Sequence, residues 1–334
     1  MSFPYYFGNG QNRRADSPAK LPGSRRERQT DPAGYKPDAG LVDAANVALL
    51  LGQPLLLTGE PGTGKTQFAH SLAWELGFDS PLIFETKSSC TARDLFYSYD
   101  TLRRFHAAQL KEGSANSLTY LTWHALGIAI LQSQPKAKVA QWLQEDFKHT
   151  GPRRSVVLID EIDKAPRDFP NDLLNEVENL YFRVPEIGND AIAASEEMRP
   201  VLVLTSNSEK SLPEAFLRRC VYYNIPFPDL IRFPGRLAEI VMARTGSFEN
   251  SDSPLLADAQ DLFAKLREPG SGLRKKPATA ELIGWLIALR EVGAAVDQPL
   301  KQNEGNVALR TLSVLVKSAD DQETARKIVE NWVK

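Results

Sequence analysis

Residues 55–66 read LLLTGEPGTGKT, an apolar run that stops at a glycine-rich turn ending in Lys-Thr. The run reads as a short buried strand, and the segment after Lys65, QFAHSLAWELG, has helical period. Strand, turn and helix together fit G-x-x-x-x-G-K-[ST] from Gly59 to Thr66, the pattern of a phosphate-binding loop. Gly59, Gly62 and Gly64 let the backbone curl so that several N–H groups face a phosphate chain, with Glu60, Pro61 and Thr63 filling the turn. The helix that starts near Lys65 and runs on through Gln67 adds its positive end at the same spot. Lys65 would reach the β- and γ-phosphates, and the Thr66 hydroxyl would bind Mg²⁺. The expected ligands are therefore ATP and Mg²⁺.

Four more short apolar runs follow: PLIFETK (81–87), SVVLIDEID (155–163), RPVLVLTSN (199–207) and VYYNIPF (221–227). They alternate with helical patterns, LVDAANVALLLG before the first strand among them, which predicts a parallel sheet covered on both faces. After Pro228 the strand pattern stops, and RLAEIVMART, DAQDLFAKLRE, TAELIGWLIALREVG, ALRTLSVLVKS and ETARKIVENWVK are helical in period. The predicted fold class is α/β, a mainly parallel five-stranded sheet between helices followed by a smaller all-α lid. The expected organisation is a basic N-terminal arm over 1–34, a core over 35–228 with a long insertion near 94–150, and the lid over 229–334. In the arm, Arg13, Arg14, Lys20, Arg25, Arg26 and Arg28 outnumber Asp16 and Glu27.

A phosphate loop implies binding rather than hydrolysis. The third run supplies the rest: residues 156–159 are apolar, and Asp160 and Glu161 emerge where the strand ends. Ligands in such sheets collect at the carboxyl ends of strands, so Asp160 faces the same crevice as the loop and completes a Mg²⁺ shell. Glu161, one residue on, is placed to orient and activate the attacking water.

Composition narrows the function classes. A net charge of −2 and a pI near 6.2 give no overall pull toward nucleic acid or anionic lipid, so a nucleic-acid partner is disfavoured. Cys90 and Cys220 fit neither a disulfide framework nor metal-ligand spacing. The longest apolar stretch is interrupted by Gly52, Gln53 and Pro54, too short to span a bilayer, and MSFPYYFGNGQNRR lacks a signal-peptide core. The expectation is a soluble cytoplasmic protein with no membrane contact.

Three stretches, YKPDAGLVDAANVALLLGQPLLLTGEPGTGKT, LIDEIDKAPRDFPNDLLNEVENLYFRVPE and LTSNSEKSLPEAFLRRC, resemble the AAA+ ATPases and, within them, the MoxR branch. The resemblance implies a sensor-1 role for Asn207, whose amide would hold the lytic water or touch the γ-phosphate. It implies an arginine finger in FLRRC, Arg219 before Arg218, reaching the nucleotide of a neighbouring subunit in a homo-oligomeric ring, expected to be a hexamer. It implies a lid cation near LRKKPATAELIGW, where Arg274 and Lys276 are the candidates although the family's arginine falls elsewhere. It also implies a pore-facing hairpin at LYFRVPEIGNDAIAA, whose Tyr181 and Phe182 either grip a client or belong to the core. MoxR relatives typically act with a von Willebrand A domain protein, as chaperones that mature a partner complex. The alternative role is an ATP-dependent oligomerising switch in signalling or defence.

Overall fold

The computed structural model describes residues 30–110, 116–208, 212–228, 234–248, 250–302 and 307–334. Most of the expected basic arm, residues 1–29, lies outside them. The chain forms two compact units: residues 37–59 with 65–225, and the segment ending at Lys36 with residues 60–64 and 226–334.

The first unit is built on a five-stranded sheet, β1 (Leu55–Thr58), β2 (Leu82–Glu85), β5 (Val156–Asp160), β8 (Val201–Thr205) and β9 (Val221–Asn224). The order is β2-β5-β8-β1-β9 and every pairing is parallel. The apolar runs explain this order. Val156, Val157, Leu158 and Ile159 are all 0% exposed, which requires cover on both faces of a central strand. The outer strands instead leave Ile83 and Tyr222 exposed. Helix Ala39–Leu51 packs on β1 and β9, and helix Lys65–Glu75 on β5 and β8. The Asp38 carboxylate caps the first of these by accepting the Leu41 N–H.

The stretch near 94–150 contributes directly to this core. Its hairpin, β3 (Tyr97–Tyr99) with β4 (Leu121–Trp123), is antiparallel, and helix Ala125–Ser133 lies against β2 and β5 with all residues but Ile128 buried. A helix apolar all round is buried all round. Trp123 is buried in the cluster and Trp142 packs at its edge. Helix Thr101–Gln109 differs: it buries none of its residues and leaves Leu102 and Phe105 exposed. The segment at 180–194 forms a second antiparallel hairpin, β6 (Tyr181–Arg183) with β7 (Ala191–Ala193).

The second unit is helical: Pro234–Thr245, Pro254–Arg267, Thr279–Glu291, the short Val307–Thr311 and Ala319–Val333. Their apolar stripes meet around Trp285, Leu262, Phe263, Leu286 and Val329. The buried Trp285 indole N–H donates to Thr311 Oγ1 at 2.7 Å, which satisfies the polar atom that this side chain carries into the core. Ser253 and Ser318 cap two of the helices.

Candidate nucleotide site

Parallel strands end together, so the side chains at the carboxyl ends of β1, β5 and β8 form one cluster. Gly59 leaves β1, and Lys65 begins the helix that returns over the sheet. Lys65, a residue only 8% exposed, donates its ammonium to the Gly59 carbonyl at 2.8 Å and to Asn207 Oδ1 at 3.1 Å. Burial pushes its pKa below the usual lysine value, opposed by the charges of Asp163, Asp160 and Glu161. The Thr66 hydroxyl lies 3.0 and 3.1 Å from the two carboxylate oxygens of Asp160. Asp160 is the last residue of β5, and Glu161 follows it in the left-handed region, φ 55° and ψ 51°. Lys164 Nζ donates to Glu161 Oε2 and raises its own pKa by that bond. Asp163 Oδ1 accepts the Asn207 main-chain N–H at 3.1 Å.

The loop itself has the conformation that only glycine adopts cheaply: φ is 80° at Gly62 and 93° at Gly64. Residues 60–64 group with the helical unit. There a Cβ on Gly62 would sit 3.0 Å from that of Ala278, and one on Gly64 would sit 3.0 Å from the Tyr35 ring. Glu60 is held by Arg267 at 2.9 Å, Pro61 is exposed, and the Thr63 hydroxyl donates to the Glu60 carbonyl. Gln67 has a buried Oε1 without a hydrogen-bond partner among the described residues.

Arg218 and Arg219 are placed elsewhere. They sit between helix Glu214–Leu217 and the start of β9, at the amino ends of the strands. With Leu51, Pro54, Glu178 and Arg199 they line a cleft of about 420 Å³. Arg218 pairs with Glu214, and Arg219 Nε donates to Glu178 Oε2 at 2.9 Å. A strand rises roughly 3.3 Å per residue, so a four-residue strand holds these arginines on the order of 13 Å from the end of their own sheet that carries Lys65 and Asp160.

Residues 55–227, more than half of the chain, match the family described as AAA, the ATPase family associated with various cellular activities. The chain belongs to this AAA family. It is accordingly an ATPase. No curated protein sequence matches it significantly. Among solved structures it is similar to the Thermotoga maritima RuvB Holliday junction branch migration motor, at 18% identity over 85% of this chain and 69% of that one, with a TM-score of 0.42. A point variant of the same motor aligns at 21% identity, over 84% and 69%, with a TM-score of 0.44. Likeness at this level says nothing about this chain's substrate.

Several features of this AAA core were not visible in its motifs. Thr205, 0% exposed at the end of β8, donates its hydroxyl to Asp160 Oδ1 and accepts the Glu161 N–H at 2.8 Å. A threonine in VLVLTSN reads as an ordinary strand residue, and only the register of β8 against β5 and β1 brings it here. Lys164, exposed in the short helix that follows Glu161, is tied to the Glu161 carboxylate. Of the two readings of the hairpin aromatics, Phe182 is core: it is 3% exposed and stacks on Phe96. Tyr181 is half-buried, its hydroxyl accepting from Asn175. Arg274 pairs with Asp320 at the surface of the helical unit, where the loop's neighbours are Ala278 and Ala280.

Proposed function

We propose that this AAA ATPase hydrolyses Mg-ATP as a homo-oligomeric ring, hexameric and MoxR-like, and uses the energy to remodel or mature a partner protein. The observation that carries the reading is the separation just described. Lys65, Thr66, Asp160, Glu161 and Asn207 gather at one end of the strands, whereas Arg218 and Arg219 lie at the other. An arginine at the reacting phosphate is worth roughly 10³ to 10⁵ in rate, and here it has to come from a neighbouring copy.

The residues fit Mg²⁺: a hydroxyl and a carboxylate, both hard oxygen donors, lie within 3.1 Å of one another. When bound, the ion neutralises charge on the phosphates. Thr66 and Asp160 hold it, while Lys65 and the loop N–H groups hold the phosphates. Glu161 orients water and takes its proton, Asn207 fixes the water or the γ-phosphate, and Arg219 of the next subunit stabilises the charge that develops. The products are ADP and phosphate.

A protein client, or a von Willebrand A domain partner, is supported by helix Thr101–Gln109. Arg103 and Arg104 lie over the rings of Tyr120 and Tyr99, while Leu102 and Phe105 are left exposed, with Leu110 just beyond. Exposed apolar faces of this kind mark protein contacts. Arg153 and Arg154 are engaged by Asp79 and by the Glu197 carbonyl, which argues against a basic pair held out for nucleic acid. A second reading, an oligomerising switch with slow turnover, draws on one observation: Lys164 occupies the carboxylate of Glu161.

Mass photometry of Glu161→Gln with and without Mg-ATP tests the ring. Closed rings that form only with nucleotide support it, and a variant that binds ATP yet stays monomeric refutes it for the chain alone.

A further inference from the structure

Adjacent residues of a strand point to opposite faces, so two successive acids serve one crevice only if the chain turns between them. Here the turn is made at Glu161, a non-glycine residue at φ 55°. The end of β5 also strands the Glu161 N–H, because the ladder to β8 stops at Ile159 and Leu204. Thr205, the next residue of β8, meets both needs. Its oxygen accepts that N–H at 2.8 Å and its proton goes to Asp160 Oδ1. Thr205 is fully buried, and its β-branched side chain has a restricted χ1, which favours holding this arrangement.

The geometry points to Thr205 as the positioning residue that couples the metal-binding carboxylate of Asp160 to the main chain of the base, Glu161. The inference rests on the ATPase site proposed above. Thr66 contacts both oxygens of Asp160 and Thr205 only Oδ1, so the two hydroxyls hold the carboxylate from two sides and Thr205 alone ties it to the Glu161 peptide. A shift of Asp160 toward a cation is passed through one hydroxyl to the peptide that aims Glu161.

The test compares Thr205→Val, Thr205→Ser and Glu161→Gln with the wild-type protein. Turnover is measured as kcat and KM, and Mn²⁺ binding in the presence of ADP is followed by electron paramagnetic resonance. Loss of a partner to a metal ligand costs roughly 10- to 100-fold in affinity or activity. Thr205→Val should therefore lose that much in kcat and in Mn²⁺ affinity, with KM for ATP held. Thr205→Ser, which keeps the hydroxyl, should recover both. If valine does not fold, Thr205→Ala takes its place against the serine variant. Wild-type kcat and Mn²⁺ affinity in the valine or alanine variant overturn the inference, as does a serine variant as impaired as valine. Undiminished turnover in Glu161→Gln would instead overturn the assignment of the base, and the Mn²⁺ titration would still report on Thr205.

Discussion

Replacing Phe182 with alanine tests whether hairpin β6–β7 offers its aromatic residue to a client or spends it on the core. The Phe182 ring is 3% exposed, stacked on Phe96 at 4.9 Å between centroids and met edge-on by Trp123 at 5.8 Å. Tyr97 lies 6.4 Å away. Truncating a buried phenylalanine loses its transfer free energy and leaves a cavity, together about 3–5 kcal/mol. In a unit of this size each kcal/mol moves Tm by about 2–4 °C, so the sheet unit should melt roughly 6–20 °C lower. Tyr181→Ala, at a half-buried position with one hydrogen bond, should cost about 1 kcal/mol. Thermal melting followed by near-ultraviolet circular dichroism is the assay, because Trp123 reports on the same packing. A Phe182→Ala protein that melts within about 2 °C of wild type, with its aromatic spectrum intact, would refute the burial argument. The ring would then be available to a client.

Lys164→Met should raise kcat without changing KM by releasing Glu161, and it should remove any stimulation by salt; a slower variant would mean that Lys164 assists the base. Arg219→Ala should leave nucleotide binding by the protomer intact and reduce turnover by roughly 10³ or more. Mixed with Glu161→Gln subunits it should regain part of that turnover, since an intact Glu161 then meets a neighbour's Arg219; no recovery in mixed assemblies counts against a finger acting in trans. The N–H of Arg274 foremost, with the Ser318 hydroxyl and the Lys275 N–H, holds the Asp321 carboxyl below its usual range. A depressed folded pKa stabilises above the ordinary carboxylate value and is lost as pH falls through the lowered one. Acid melting of the helical unit should therefore lose part of its pH dependence in Asp321→Asn, as read by circular dichroism between neutral and acid pH.

What was legible in the sequence followed from periodicity and local chemistry. The central strands are continuous apolar runs because both faces are covered, and Asp160 and Glu161 stand at a strand end because charge is excluded from the strand itself. The loop glycines were legible because their positive φ leaves few other choices. What was not legible depends on register and tertiary packing. Helix Ala125–Ser133 is as apolar as a strand cluster, and nothing local says that it lies on β2 and β5. Thr205 acquires its role only when Leu57 pairs with it across the sheet and Ile159 with Leu204. Phe182 and Tyr181 are neighbours of similar chemistry, and the pleat alone sends one inward.

The charged groups proposed for hydrolysis share one property in the free protomer: each is already engaged. Lys65 is bonded to Asn207, Glu161 to Lys164 and Arg219 to Glu178. The last two ties are between exposed side chains, and such pairs contribute little to stability. They are therefore easily exchanged for a phosphate or a water, and they cannot serve as strong locks. On the proposed reading, control of turnover then lies in distance: the strands hold Arg219 away from its own Asp160, so the barrier to idle hydrolysis is the absence of a neighbour. Removing either weak tie should change rates modestly, while preventing assembly should abolish turnover, and that ordering of effects is what separates a geometric control from an electrostatic one.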